Sequence, residues 1–202
     1  MLTSVIQLLM FSLIPFIVYL FGAKTARGFL RDIGIYRPEK RTVAYVLLAS
    51  AVMLVVMLVS FYAAGVDEMF NDEDTVIGGL RAAGLSLETV TALLVIAWIK
   101  TSLSEEILFR GFIAKRLIRR FGFRAGNLLQ AVVFGGVHGL LILTSADVYT
   151  GWWLALVILL TGAAGWILGW IKEKRGNGSV IPGWIAHGLG NTVGFFLGAF
   201  VL

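Results

Sequence analysis

Apolar residues run almost unbroken through six stretches of the chain, at 1–22, 43–66, 84–103, 126–144, 152–171 and 180–202, with polar residues gathered in the intervals between them. A helix needs about 20 apolar residues to cross a hydrocarbon core about 30 Å thick. The stretches approach that length, and they predict an all-α fold, a polytopic transmembrane helical bundle. The first run lacks a basic leader and an A-x-A-like cleavage site, and it is longer than the apolar part of a secretory signal. It reads as a retained helix.

The polar intervals set the topology. Of 17 Lys and Arg residues, six lie in 23–41, five in 115–124 and three in 172–175, leaving Arg81, Lys100 and Arg110 elsewhere. Asp67, Glu68, Asp72, Glu73 and Asp74 cluster in one interval. The positive-inside rule makes the basic segments cytoplasmic, with both termini and the acidic loop outside the cell membrane. Residues 67–83 and 115–124 then lie on opposite sides. One long, tilted or kinked helix from about 84 to 119, carrying Glu105-Glu106, is the simplest connection. A helical hairpin broken at Lys100-Thr101-Ser102-Leu103-Ser104 is the competing one. About six crossings result, in a single integral-membrane domain over 1–202. Its N-terminal part, 1–83, carries no signature, and 84–202 forms the candidate core. Gly176-Asn177-Gly178-Ser179 reads as a turn, and Pro182 sits where a first helical turn tolerates it.

Composition agrees: 58% of the residues are hydrophobic and the mean hydropathy is +0.89. The net charge of +5 is accounted for by the cytoplasmic segments and is no footprint of nucleic acid. With no cysteine, disulfides, thiolate ligands and a cysteine nucleophile are excluded. No internal repeat is evident, which weighs against an inverted-repeat transporter.

Ionisable groups are costly in a bilayer, so those placed there are functional candidates. The only two histidines, His138 and His187, lie in apolar stretches, and a third stretch holds Glu105-Glu106. Helical rise places Glu106 about 20 Å from Arg119 and His138 about 21 Å from Arg124, depths that match. His187 starts only about 8 Å beyond Pro182, so the loop before it must dip inward, or a cavity must open to the cytoplasm. Glu106 and Arg110 share a helix face, Glu105 points about 100° away, and Phe134 shares a face with His138, as His187 does with Asn191. Each feature alone has a bland explanation. Glu106 and Arg110 neutralise one another, a lone membrane histidine bonds across helices, and His187 with Asn191 acts as glue. Phe134 packs, Lys100 snorkels or lines a cavity, and the Gly190-xxx-Gly194-xxx-Gly198 series allows close helix approach. Tryptophans such as Trp184 sit near helix ends as interfacial anchors.

The ordered set Glu105-Glu106-Ile107-Leu108-Phe109-Arg110, Phe134-Gly135-Gly136-Val137-His138 and His187-Gly188-Leu189-Gly190-Asn191 resembles the CPBP family, the CAAX prenyl endopeptidases and bacteriocin-processing, Abi-type membrane proteases. The resemblance spans about residues 100–195. It implies an intramembrane endopeptidase acting on a membrane-associated or prenylated peptide, with the substrate and lipids as partners. Glu105 is then the principal catalytic carboxylate and Glu106 its neighbour, paired with Arg110. His138 helps activate water, and His187 and Asn191 bind metal or stabilise the oxyanion. Two chemistries fit those roles. In one, Glu105, His138 and His187 hold a divalent metal such as zinc, as a commonly assigned metalloprotease would. In the other, Glu105 and His138 deprotonate water directly. Two non-proteolytic readings stand beside these: a membrane adaptor or bacteriocin-immunity-type protein, and a proton-coupled transporter.

Overall fold

The computed structural model describes residues 2–38, 42–64, 72–145 and 151–202. Asp67 and Glu68 of the acidic cluster, and Lys40 and Arg41 of the first basic segment, lie outside the described residues. The described chain is a helical bundle of α1 (Leu2–Ala23), α2 (Phe29–Asp32), α3 (Val43–Ala64), α4 (Val76–Ala83) and α5 (Leu87–Val95). Beyond α5, two π-helical segments, Ile96–Leu103 and Glu106–Ala114, lead into α6 (Lys115–Ser145), followed by α7 (Trp152–Lys174) and α8 (Ile181–Phe200).

The central element is the long helix expected around the glutamates. It starts at Ser86, whose hydroxyl accepts from the Thr89 amide at 3.1 Å, and it stays helical through residue 121. The polar run at 100–104 does not break it, so the hairpin alternative is not what forms. The helix widens there instead. Thr101 Oγ1 lies 3.0 Å from the carbonyls of both Ile96 and Ala97, and Ser102 Oγ donates to Ala97 O at 2.5 Å. The Ser104 amide donates to Ile99 O, five residues back, which is the π-helical spacing, a local widening that recurs at functional sites.

Direction then reverses at one residue. Gly122 has φ 75° and ψ 168°, a conformation essentially closed to side-chain-bearing residues. A Cβ at Gly126 would fall 2.5 Å from the backbone of Ile118, so the returning chain passes directly against the outgoing one. The basic interval 115–124 is therefore a helix end and a tight turn rather than an extended loop.

Contacts bring the basic segments together at one end of the bundle. Lys115 Nζ reaches Asp32 Oδ1 at 2.5 Å, Tyr36 donates to Asn177 O at 2.7 Å, Ser179 to Tyr36 O at 2.6 Å, and the Val180 amide to Gly34 O at 2.9 Å. Burial, with Glu173 nearby, raises the Tyr36 phenol above its ordinary pKa, which keeps it a donor. At the other end Arg81 donates to Gly198 O at 3.0 Å, and Ile77, Leu80, Leu93 and Ala199 form a small core. Part of the interval read as an outer loop, 67–83, is thus the amphipathic helix α4, capped by Thr75.

The outside of the bundle is apolar. α1 buries only Ser4 and Pro15 and exposes Val5, Leu9, Leu13 and Phe21, while Leu128, Val132 and Leu140 of α6 also face outward. A water-facing surface of this kind would aggregate, whereas lipid solvates it. Two helices, Leu2–Ala23 and Trp152–Lys174, are long and apolar enough to cross a bilayer. The glycine series on α8 serves packing: Gly190 and Gly194 face Met53 and Met57 of α3.

Candidate active site

Glu106 and Arg110 leave the widened helix on one face and are fully buried, with Arg110 Nη1 3.0 Å from Glu106 Oε1. The guanidinium also lies over the Phe134 ring, 4.1 Å from its centroid. Phe134 comes from α6, which the turn at Gly122 has folded back, and its ring meets Phe109 edge-on at 4.8 Å. A buried charge pair is tolerated only when its partners are held in good geometry. Here the aromatic face supplies the arginine's other contact.

Phe134 has a second task. Its carbonyl lies 2.9 Å from His138 Nδ1, one turn along α6. A carbonyl only accepts, so Nδ1 carries the proton and Nε2 keeps its lone pair in the neutral ring. His138 lines a cavity of about 490 Å3 together with Glu105, Lys100 and Phe109 of the central helix and Gln7 of α1.

His187 arrives from α8. Its Nε2 lies 3.8 Å from Glu105 Oε2 and its Nδ1 3.7 Å from Glu106 Oε1, so one imidazole stands between the two carboxylates. The depth mismatch foreseen for this residue disappears because α8 begins inside the protein. Ser179 and Val180 are fully buried beneath the 33–36 segment, which their hydrogen bonds to Gly34 and Tyr36 hold in place. Gly183, in the first turn of α8, makes room for a carboxylate: a Cβ there would lie 2.5 Å from Glu106 Oε2.

Asn191, one turn beyond His187, donates to Thr101 Oγ1 at 2.9 Å, and Thr101 lies one turn before Glu105. The structure therefore sets His187 near both Glu105 and Glu106 and puts Glu105 and His138 on one cavity. Asn191 stands one turn away on the same pair of facing helices.

Residues 87–193, more than half the chain, match the sequence family described as Type II CAAX prenyl endopeptidase Rce1-like. The chain belongs to that family. No curated protein and no solved structure matches it. The Rce1-like match begins at the first residue of α5 and ends in α8, just past Asn191, so it contains Glu105, Glu106, Arg110, His138, His187 and Asn191 but not Gln7. Membership makes this a membrane-embedded CAAX-type endopeptidase with a peptide or prenylated-protein substrate.

A zinc version of the site needs three protein ligands around one ion. Among the described residues no three His, Cys, Asp or Glu side chains are gathered closely enough to hold one.

Two features escaped the sequence reading. Gln7 donates to Lys100 O at 2.8 Å and to Ser104 Oγ at 3.3 Å, tying α1 to the central helix beside Glu105. Its signal was available, since it is the one amide in the first apolar run. The Trp184 indole donates to Trp98 O at 2.8 Å and packs edge-on against that ring, a contact with the central helix that the sequence did not announce.

Proposed function

We propose that this chain hydrolyses a peptide bond of a prenylated or otherwise membrane-associated peptide by metal-free activation of water. The observation that carries the reading is the shared cavity, lined both by Glu105 and by a histidine whose Nδ1 is already committed to a carbonyl.

In this mechanism Glu105, assisted by His138 Nε2, takes a proton from water as the oxygen attacks the scissile carbonyl. Negative charge then develops on the carbonyl oxygen. His187 and Asn191 are the donors for it, because Asn191 spends one N–H on Thr101 and keeps the other. The proton held by the acid–base pair passes to the departing amine, which leaves one new carboxyl and one new amine. Arg110 acts through Glu106, holding the carboxylate against which His187 rests. The chain is read as crossing the plasma membrane about six times, with the basic end, joined through Lys115, Asp32, Tyr36 and Asn177, at the cytoplasmic face.

The test is cleavage in proteoliposomes of a fluorescence-quenched peptide carrying a farnesylated cysteine, with products identified by mass spectrometry. One internal cut that survives dialysis against a chelator is expected. Activity lost to the chelator and restored by zinc would replace this chemistry with the zinc version, and no cut in any membrane peptide would favour an adaptor.

A further inference from the structure

Arg116, Arg119 and Arg120 fall on one face, at i, i+3 and i+4, where the central helix reaches the basic end of the bundle. With Leu117 and the exposed ring of Phe121 they line a cavity of about 660 Å3. Eleven residues separate Arg116 from Glu105, about 16 Å at helical rise, so the place is distinct from the cavity of the glutamates. Like charges at this spacing repel one another unless an anion joins them. Among the described residues none of the three arginines makes an ion pair, and Asp32 of α2 is already taken by Lys115.

The negative end of a helix dipole accounts for cations in a last turn, but not for the way Arg116 is held. Its guanidinium lies over the Phe112 ring, 3.7 Å from the centroid, and Nη1 donates to Phe112 O at 3.2 Å. One face and one of its N–H groups are thereby engaged, which orients the planar fork and leaves its other donors for a ligand.

We propose that Arg116, Arg119 and Arg120 form a binding site for the phosphate of an anionic phospholipid in the cytoplasmic leaflet. The inference stands independently of the peptidase reading. Guanidinium forks match phosphate oxygens and bind them through paired, charge-assisted hydrogen bonds. The apolar part of the lining selects the source of that phosphate. Leu117 and Phe121 offer a wall to the glycerol and upper acyl chain of a lipid, which a free phosphate cannot use. Leu128 and Leu129, about two turns past the reversal at Gly122, are exposed and apolar, so the returning helix meets lipid directly. A basic pocket at the cytoplasmic boundary of a helical bundle is a recurrent setting for an acidic headgroup.

The experiment titrates the full chain, stripped of lipid in neutral detergent, with phosphatidylglycerol or phosphatidylcholine of the same acyl chains, and counts bound lipids by native mass spectrometry. One phosphatidylglycerol should bind about 30-fold more tightly than phosphatidylcholine. Arg119→Gln/Arg120→Gln should remove that preference. Lys24→Asn/Arg27→Gln, which deletes two exposed cations elsewhere in the first basic segment, should keep it. Equal affinity for the two lipids in the wild type overturns the proposal, and so do equal losses in the two double variants, which would report only the diffuse positive field of the basic end. Millimolar inorganic phosphate or an acidic peptide should leave the lipid bound. Displacement by phosphate would make the site one for a free anion, and displacement by the peptide one for an acidic protein segment, either of which overturns the lipid assignment.

Discussion

Replacing Arg110 with methionine removes the guanidinium paired with Glu106 and leaves a fully buried carboxylate with the His187 imidazole as its remaining neighbour. Removing one partner of a buried pair costs about 3–5 kcal/mol. Loss of the guanidinium from the Phe134 face, where it sits 4.1 Å from the centroid, adds up to about 2 kcal/mol for a desolvated contact. The expected total is about 3–7 kcal/mol. Glu106→Gln alone should cost less, because an amide still presents a polar oxygen to the guanidinium. With Gln at 106 the methionine at 110 no longer strands a charge, so the double variant should fall short of the sum by about 2–3 kcal/mol. Equilibrium unfolding in mixed detergent micelles, followed by tryptophan fluorescence, gives all four corners of the cycle. Additive losses, or an Arg110→Met protein within 1 kcal/mol of wild type, would refute the claim that this pair organises the site.

Three further outcomes follow from local geometry. Gly183→Ala should cost about 1–3 kcal/mol of stability and lower turnover, because its methyl group displaces Glu106 Oε2, whereas Gly136→Ala, with open space around it, should be neutral or slightly stabilising in the same unfolding assay. Gly122→Ala should destabilise the protein by about 1–3 kcal/mol by closing the φ 75°, ψ 168° conformation at which the chain reverses, again read by unfolding. Asn191→Ala should lower kcat about 10²- to 10³-fold with little change in KM, as steady-state kinetics would show for loss of an oxyanion donor.

The helices were legible because a bilayer imposes a length and an apolar composition that six stretches of the sequence display. The central helix was legible through charge: the acidic and basic intervals had to lie at opposite ends, and the contacts of Lys115 and Arg81 put them there. Glu106 and Arg110 followed from i,i+4 spacing. Three features were hidden. The π-helical widening is set by backbone amides choosing carbonyls five residues back, as Ser104 does with Ile99, and hydrophobic periodicity does not report that choice. The burial of the α8 start depends on long-range hydrogen bonds from Tyr36 and to Gly34. Phe134 read as packing because its spacing reveals the ring's position but not the carbonyl that fixes the tautomer of His138.

The central claim is that Glu105 and His138 act together on one water. Single-turnover cleavage of the farnesylated peptide by wild type, Glu105→Gln, His138→Ala and the double variant measures it most directly. Each single change should slow cleavage by about 10²- to 10⁴-fold, and the double variant should be no slower than the worse single, as for groups that work as a unit. Wild-type rates in either single variant, or losses that multiply in the double, would contradict it.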